Sequence, residues 1–494
     1  MSVMLTLLVF GAVWLSTLAR LSLSPPPDNI EQLVWVHSIE GGYYKHPPLP
    51  TWIFWLPVHL FGATAWITYV AGALCTLVGM ALMWRLLKQL RGRRYATVAL
   101  LAALCITYYN GRLNYYNHNV VLMLFAAAIA LLCWQAFSTG LARWWLALGI
   151  ALGLGALTKY EVAVSAACVI IFWLQQRGWR VLAHRRGLLV AALAALLIFM
   201  PHIAWLRQHD FAPVQYAMES SLGLNLDLAH RASEAFRWLA DQLFNRALPA
   251  WILLALGALA GTRKSRHELS RRQAGARGEP DAARVFLLIW GLVPLAFVPA
   301  VCLLYGAHLP FHWATPFLFL AVPAVMELVG TGAVWRRIPP RPLWLSFVSI
   351  QILLLSVNWI TSPLGPKALR DDHRRAFESA GLARTIEGPA RAILGGRICV
   401  VSGPSDIAGV LAYRLTDQPL VLIDGRFDRS PWVRRRLVDQ CGELQIREAP
   451  ASSGWNAVGP TFPGISWRVE RPARQRPAQR PPLHAVLQRD RAGL

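Results

Sequence analysis

The sequence predicts an all-α polytopic membrane protein with about eleven transmembrane helices and a small C-terminal α/β extracytoplasmic domain. The composition is the first observation behind this. The 494 residues are 55% hydrophobic and only 15% charged, whereas soluble domains carry about 25% charged residues. The second is that apolar runs approaching the roughly 20 residues needed to cross a bilayer recur along the first three quarters of the chain. The third is a change of character after residue 361, where such runs stop. A chain this long and this poor in charge cannot cover the wet surfaces of several soluble domains, so a cytosolic enzyme is excluded. A disordered protein is excluded by the same apolar content.

The first run, 5–22, lacks a basic start and a small-x-small cleavage site, so it reads as an uncleaved helix. Ser24-Pro25-Pro26-Pro27-Asp28 then breaks the helix. Further runs lie at 64–84, 95–109, 119–137, 144–158, 161–176, 187–206, 247–262, 285–305, 313–334 and 343–361. The stretch 48–62 is apolar but short and holds Trp52 and Trp55, so it reads as a helix lying at the membrane surface, within a first outer loop at 24–63.

Lys and Arg outnumber Asp and Glu by 49 to 26, a net charge of +23. No nucleic-acid-binding motif accompanies this excess, so the basic residues are read as setting topology and meeting anionic lipid. Clusters follow the second span (Arg85, Lys88, Arg91, Arg93, Arg94), the sixth (Arg177, Arg180, Arg185, Arg186), the eighth (Arg263 to Arg284) and the tenth (Arg336, Arg337, Arg341). All four share one side when the surface helix is not counted as a span. The positive-inside rule makes that side cytoplasmic, with the N-terminus inside and the C-terminal domain periplasmic in a bacterial inner membrane.

The predicted division is a transmembrane domain at 1–361, a periplasmic α/β domain at 362–470 and a disordered basic tail at 471–494. In the second of these, Arg397–Ser402 and Pro419–Ile423 read as buried strands flanking a helix. Cys399 and Cys441 both fall there, where an oxidising compartment permits a disulfide; sequence leaves their pairing open.

The candidate chemistry gathers on the outer side. Asp28 directly follows the proline run, and Glu31 is one helical turn on. Taken alone, the pair reads better as helix capping, a variant capping box. The surrounding residues distinguish the two readings. Asp28, Glu31, Trp35, Gly42, Tyr43, His46-Pro47-Pro48-Leu49 and Trp52 follow one another in the first outer loop. Tyr116-Asn117-His118-Asn119 opens the fourth span, Leu157-Thr158-Lys159-Tyr160 closes the fifth, and His312-Trp313 opens the tenth. In this order they resemble the polyprenyl-phosphate-dependent membrane glycosyltransferases of GT-C type, which include relatives of the protein O-mannosyltransferases, the lipid A aminoarabinose transferases and the rhizobial lipopolysaccharide-core transferases. The resemblance covers about residues 1–360.

It implies a GT-C-like fold, a polyprenyl-phosphate sugar donor and an envelope acceptor that is lipopolysaccharide, another glycan or a protein. Asp28 is then the general base, with Glu31 as the second catalytic candidate. A departing phosphate needs positive neighbours more than an acid, and Lys45, Arg112 and Lys159 are the candidates. His46 and His312 are candidates for hydrogen bonds to phosphate or sugar, and Asn117 and Asn119 for bonds to sugar hydroxyls. Tyr160 is a substrate-binding candidate or a member of an interfacial aromatic belt. The lysines and arginine also fit simple snorkelling to lipid phosphate. The chain departs from the family pattern at Asn29, where a second acid is common, and at Asn117 and Asn119, where an acid often opens the fourth span. Those acids support a divalent metal in the family; here no ligand cluster with metal spacing is seen, and the cofactor is left unassigned. The rival reading is a transporter or flippase of lipid-linked sugars, which places its ionisable groups near mid-membrane.

Overall fold

The computed structural model describes residues 2–222, 225–262, 281–329, 332–370 and 374–472. The basic run 263–280 and most of the predicted tail, 473–494, lie outside the described residues. The chain forms two compact units, Met1–Ala376 and Phe377–Leu494.

The first unit is helical. Among the described residues, six helices are long and apolar enough to cross a membrane: Val3–Arg20, Ala65–Arg91, His118–Thr139, Leu182–Gln208, Ala282–Tyr305 and Pro340–Ile360. A seventh span arises if Leu228–Arg246 and Leu248–Ala260, bent by 52°, act as one. The other predicted runs form shorter helices. Ala142–Thr158 and Ala163–Gln175 take up 144–158 and 161–176, and Leu318–Val329 the core of 313–334. The run at 95–109 contributes Arg93–Ala103, 11 residues long, which rises only about 16 Å against a hydrocarbon core of about 30 Å. Its residues from Tyr95 to Ala103 are all buried apart from Thr97. This run is apolar because protein surrounds it, and lipid imposes the same composition, so periodicity cannot separate the two cases. The segment 207–246, between the predicted runs 187–206 and 247–262, contains the amphipathic helix Leu228–Ala240, capped by Asp227 through its bond to the His230 amide.

Two of the predicted basic clusters meet at one end of the bundle. Arg336 donates to the Arg91 carbonyl and Arg94 to the Arg336 carbonyl, both at 3.5 Å. Arg91 also braces that end through Glu327 at 2.9 Å and Asp281 at 2.5 Å. The 27-residue helix Ala65–Arg91 runs from there to the other end, a span of about 40 Å. At that far end Thr68, near its first turn, accepts a hydrogen bond from Asn29 at 2.7 Å. The first outer loop and these two basic clusters therefore occupy opposite ends.

The surface-helix segment forms Leu49–Phe61, with Pro57 inside it. Gly72 lets the Ala65–Arg91 helix press against the chain before His118, because a Cβ there would overlap the Tyr115 carbonyl.

The second unit holds a five-stranded sheet in the order β2-β1-β3-β5-β4. Strand β1 (Val400–Gly403) pairs in parallel with β2 (Leu420–Ile423) and with β3 (Glu443–Arg447). Strand β5 (Ser466–Glu470) runs antiparallel to β3 and to β4 (Asn456–Ala457). The helix Ser405–Arg414 joins β1 to β2, the crossover that parallel strands require. Both strands expected from sequence are present, the first displaced by three residues at its start and one at its end, the second shorter by one residue at its start. Cys399 and Cys441 form a disulfide, with Cα atoms 6.1 Å apart.

Candidate active site

The proline run carries the chain out of the Val3–Arg20 helix and into a second helix, Pro27–Trp35, whose N-cap is Pro26. Asp28 is therefore already inside the helix, and no side chain caps that end. The capping reading of Asp28 is thus corrected. Its carboxylate instead accepts from Asn117 Nδ2 at 2.7 Å. The orientation of Asn117 is set by its own cap. Its Oδ1 accepts from the Val120 amide at 2.9 Å at the start of His118–Thr139, so Nδ2 must face Asp28.

Asn29, where the family pattern favours an acid, is fully buried and bonded on both sides. It donates to Thr68 Oγ1 at 2.7 Å and to the Asn114 carbonyl at 2.8 Å, and accepts from the Tyr116 amide at 2.9 Å. An Asp here would lose both donated bonds. Asn29 thus fastens the first loop to the segment before the His118 helix and is not positioned as a ligand. Among the described residues no group of three or more His, Cys, Asp or Glu side chains is placed to hold a metal ion. The donor set of the described residues does not fit a metal.

Two cavities meet at Asp28, Asn117 and His312, which line both. The first, of about 410 Å³, also contains Glu31, Lys45, His46, Asn119, Lys159 and Tyr160. Its far wall is apolar, with Phe297, Val298 and Val301 of the Ala282–Tyr305 helix and Trp313. The second, of about 430 Å³, contains Arg112. All ten residues singled out in the sequence therefore line one cavity or the other, although they come from six separate stretches of chain.

Each lysine of the first cavity has a carboxylate beside it. Lys45 bonds Glu31 at 2.7 Å, with both side chains largely buried. Burial opposes its charge, but Glu31 and the nearby Tyr44 and Tyr216 hold its proton more tightly than usual. Lys159 donates to Asn119 Oδ1 at 2.6 Å and to Glu161 at 2.8 Å, which leaves its third N–H for an incoming oxygen. Its ammonium also faces the Trp313 ring, 5.5 Å from the centroid. His46 packs its ring against His118, with centroids 4.1 Å apart. Burial, then the neighbouring His118, Lys159 and Lys45, push the His46 pKa well down, so it is neutral and serves as a hydrogen-bonding group. His312 is lowered to about 4 by burial and Lys159, with Asp28 opposing. The Tyr160 hydroxyl pairs with His202 at 2.8 Å, and His202 in turn contacts the Gly41 carbonyl at 2.6 Å. That contact seats the Gly41-Gly42 turn beside Trp205, where a Cβ on either glycine would collide with the indole.

Sequence reasoning missed several members. His118, inside the Tyr116–Asn119 stretch, and Glu161, in the short link Lys159–Glu161, carry no role assigned from sequence. Arg246, Arg374 and Arg375 lie far along the chain, and only folding brings them to Asp28. The segment 207–246 also carries Asp210 and Glu219, which line neither cavity.

The helical architecture is that of the GT-C class. Over 94% of its length the chain superposes, at a TM-score of 0.62 and 14% identity, on 97% of ArnT from Cupriavidus metallidurans bound to undecaprenyl phosphate. The apo form of the same protein gives 0.63. Residues 45–205 match the family model of dolichyl-phosphate-mannose-protein mannosyltransferases. That stretch contains Lys45, His46, Arg112, Asn117, Asn119, Lys159 and Tyr160, but neither Asp28 nor His312. Among curated proteins the chain is 27% identical, over 40% of its length, to the lipid A galacturonosyltransferase RgtD of Rhizobium johnstonii. It is 27% identical over 59% of its length to the undecaprenyl phosphate-α-4-amino-4-deoxy-L-arabinose arabinosyl transferase of Pseudomonas aeruginosa. It is 25% identical over 80% of its length to the lipopolysaccharide core galacturonosyltransferase RgtA of Rhizobium johnstonii. The matched stretches span 43%, 54% and 77% of those relatives. The resemblance to GT-C polyprenyl-phosphate glycosyltransferases read from the first outer loop therefore holds in fold, in family segment and in relatives.

Proposed function

We propose that this protein transfers a sugar from a polyprenyl-phosphate donor to a hydroxyl of an envelope acceptor, at the outer face of the bacterial inner membrane. The observation that carries the reading is the position of Asp28, a carboxylate lining two cavities of different character. The cavity with Lys45, Lys159 and the apolar wall suits a lipid phosphate, with the polyprenyl tail along Phe297, Val298 and Val301. The other cavity admits the acceptor.

In the reaction, the Asp28 carboxylate takes the proton of the acceptor hydroxyl. The acceptor oxygen forms a bond to the anomeric carbon as the bond from that carbon to the phosphate oxygen breaks. The transition state is oxocarbenium-like and the displacement inverts the configuration. Polyprenyl phosphate leaves with its new charge facing Lys159 and Lys45. His312 and Asn117, lining both cavities, are placed to bond the sugar between them. Asn117 also orients Asp28. Glu31 and Glu161 keep the lysines in place, so Glu31 is assigned a positioning role here rather than that of base.

The two basic clusters that meet at the end opposite Asp28 support an orientation with that end cytoplasmic and the second unit periplasmic. A transporter would gather its ionisable groups near the bundle middle, whereas here they cluster at the ends of helices. The deciding experiment incubates the purified protein with radiolabelled undecaprenyl-phosphate sugars and envelope glycolipids. Release of undecaprenyl phosphate coupled to labelled acceptor supports the enzyme; binding without turnover supports the transporter.

A further inference from the structure

His202 is 1% exposed and lines neither cavity, yet both of its ring nitrogens are engaged. It lies toward the C-terminal end of the helix Leu182–Gln208. That helix is pressed against Ala142–Thr158: a Cβ on Gly149 would overlap the Ala191 carbonyl, and one on Gly153 would meet the Ile198 side chain. Lys159 follows Thr158 directly. Close helix packing therefore fixes where His202 stands relative to the Lys159 link.

The ring bonds in two directions. Nδ1 lies 2.6 Å from the Gly41 carbonyl, which can only accept, so Nδ1 carries the proton. Neither ring contact is to a carboxylate, and a second proton on so buried a ring would have no counter-charge there. Nε2 is then left to accept from the Tyr160 hydroxyl at 2.8 Å. Each bond leads to a lysine. Tyr160 is the residue after Lys159. Gly41 opens the turn that delivers Lys45. Gly41-Gly42 packs on Trp205, whose indole is itself stacked on His202, with centroids 5.7 Å apart and planes 10° apart. Residues 43–46 are then closed on themselves: the Tyr43 amide donates to the His46 carbonyl at 3.0 Å, and the His46 amide to the Tyr43 carbonyl at 3.2 Å. Lys45 sits inside that closed loop.

Both ammonium groups line one cavity and both act on the His46 ring. Like charges held near one another repel until an anion lies between them. They serve a departing phosphate best when they need not rearrange to meet it. Glu31 and Glu161 fix each ammonium within its own segment, but neither fixes the two segments relative to one another. We propose that His202 is a positioning residue that ties the Lys45 loop and the Lys159 link to one helix, and so sets the spacing of the two cations around the leaving phosphate. The inference rests on the donor assignment above.

The test measures undecaprenyl phosphate binding to the full chain in detergent by native mass spectrometry, with Tm recorded for every variant. His202→Leu removes both bonds. An Asn amide reaches about as far as Nδ1 and a Gln amide about as far as Nε2. His202→Asn therefore keeps the bond to Gly41, and His202→Gln the bond to Tyr160. Loss of either bond should weaken binding about 2- to 12-fold, the worth of one neutral hydrogen bond, and His202→Leu should weaken it more than either. Combination with the lysine variants separates positioning from folding. The effect of His202→Asn should vanish when Lys159→Met and Glu161→Gln are present, and persist when Lys45→Met and Glu31→Gln are. The effect of His202→Gln should show the reverse. Wild-type affinity in a folded His202→Leu protein, or His202 effects that are the same in both lysine backgrounds, would overturn the inference and leave the donor assignment standing. Wild-type affinity in both lysine backgrounds with His202 intact would instead remove the donor assignment, and the inference with it.

Discussion

Lys159 gives the most direct test of how the leaving phosphate is held. Its ammonium sits 2.6 Å from Asn119 and 2.8 Å from Glu161, and the Lys159 and Glu161 side chains are 14% and 12% exposed. Lys159→Met therefore does two things. It removes a charge-assisted contact to phosphate, worth about 1.5–3 kcal/mol, or roughly 10- to 150-fold in affinity. It also strands Glu161, and breaking a buried pair costs about 3–5 kcal/mol of stability, with the lower end expected for a pair that retains some exposure. A loss of activity in the single variant is thus ambiguous. Lys159→Met with Glu161→Gln removes both charges and keeps the shape. The double variant should recover most of the Tm lost in the single one, yet bind undecaprenyl phosphate 10- to 150-fold more weakly than wild type by native mass spectrometry. Wild-type affinity in a folded double variant would refute the phosphate assignment and return Lys159 to lipid snorkelling.

Other outcomes follow from single residues. Asn29→Leu strips three hydrogen bonds from a fully buried position and should lower Tm markedly, since each stranded partner costs about 1–3 kcal/mol; Asn29→Asp, though it restores the family's acid pair, should also destabilise, and an unchanged Tm in either would discount the network. His312 has its pKa lowered from 6.5 to about 4, so the unfolded chain binds more protons; the stability this residue contributes is complete above 6.5 and declines as pH falls toward 4, and His312→Gln should flatten that part of a Tm-against-pH curve. Reporter fusions after residue 90 should read cytoplasmic and fusions near residue 430 periplasmic; a cytoplasmic signal at 430 would place the second unit on the wrong side.

How far the site could be read from sequence depended on local surroundings. Asp28 after three prolines, His46-Pro47-Pro48 and Lys159 between two apolar runs stand out because polar residues at such points break a simple pattern. Folding then places them with His312. Arg246 and Arg375 of the second cavity carried no such signal. Arg246 ends an amphipathic helix and Arg375 follows a span, and on sequence alone both resemble interfacial cations. The role of Asn29 was hidden because its three partners are two backbone groups and Thr68. In the fold, the short strands were legible from their β-branched runs. Arg93–Ala103 was not legible as a buried helix, because protein core and lipid select the same side chains.

The central claim is that Asp28 is the base. Asp28→Asn keeps the size of the side chain and an oxygen for Asn117 Nδ2, which now donates to Asp28 at 2.7 Å, and removes only the basicity. With a labelled undecaprenyl-phosphate sugar and a glycolipid acceptor, the variant should insert normally and bind undecaprenyl phosphate like wild type. Its kcat should fall by about 10²–10⁴. Wild-type turnover by Asp28→Asn would contradict the account.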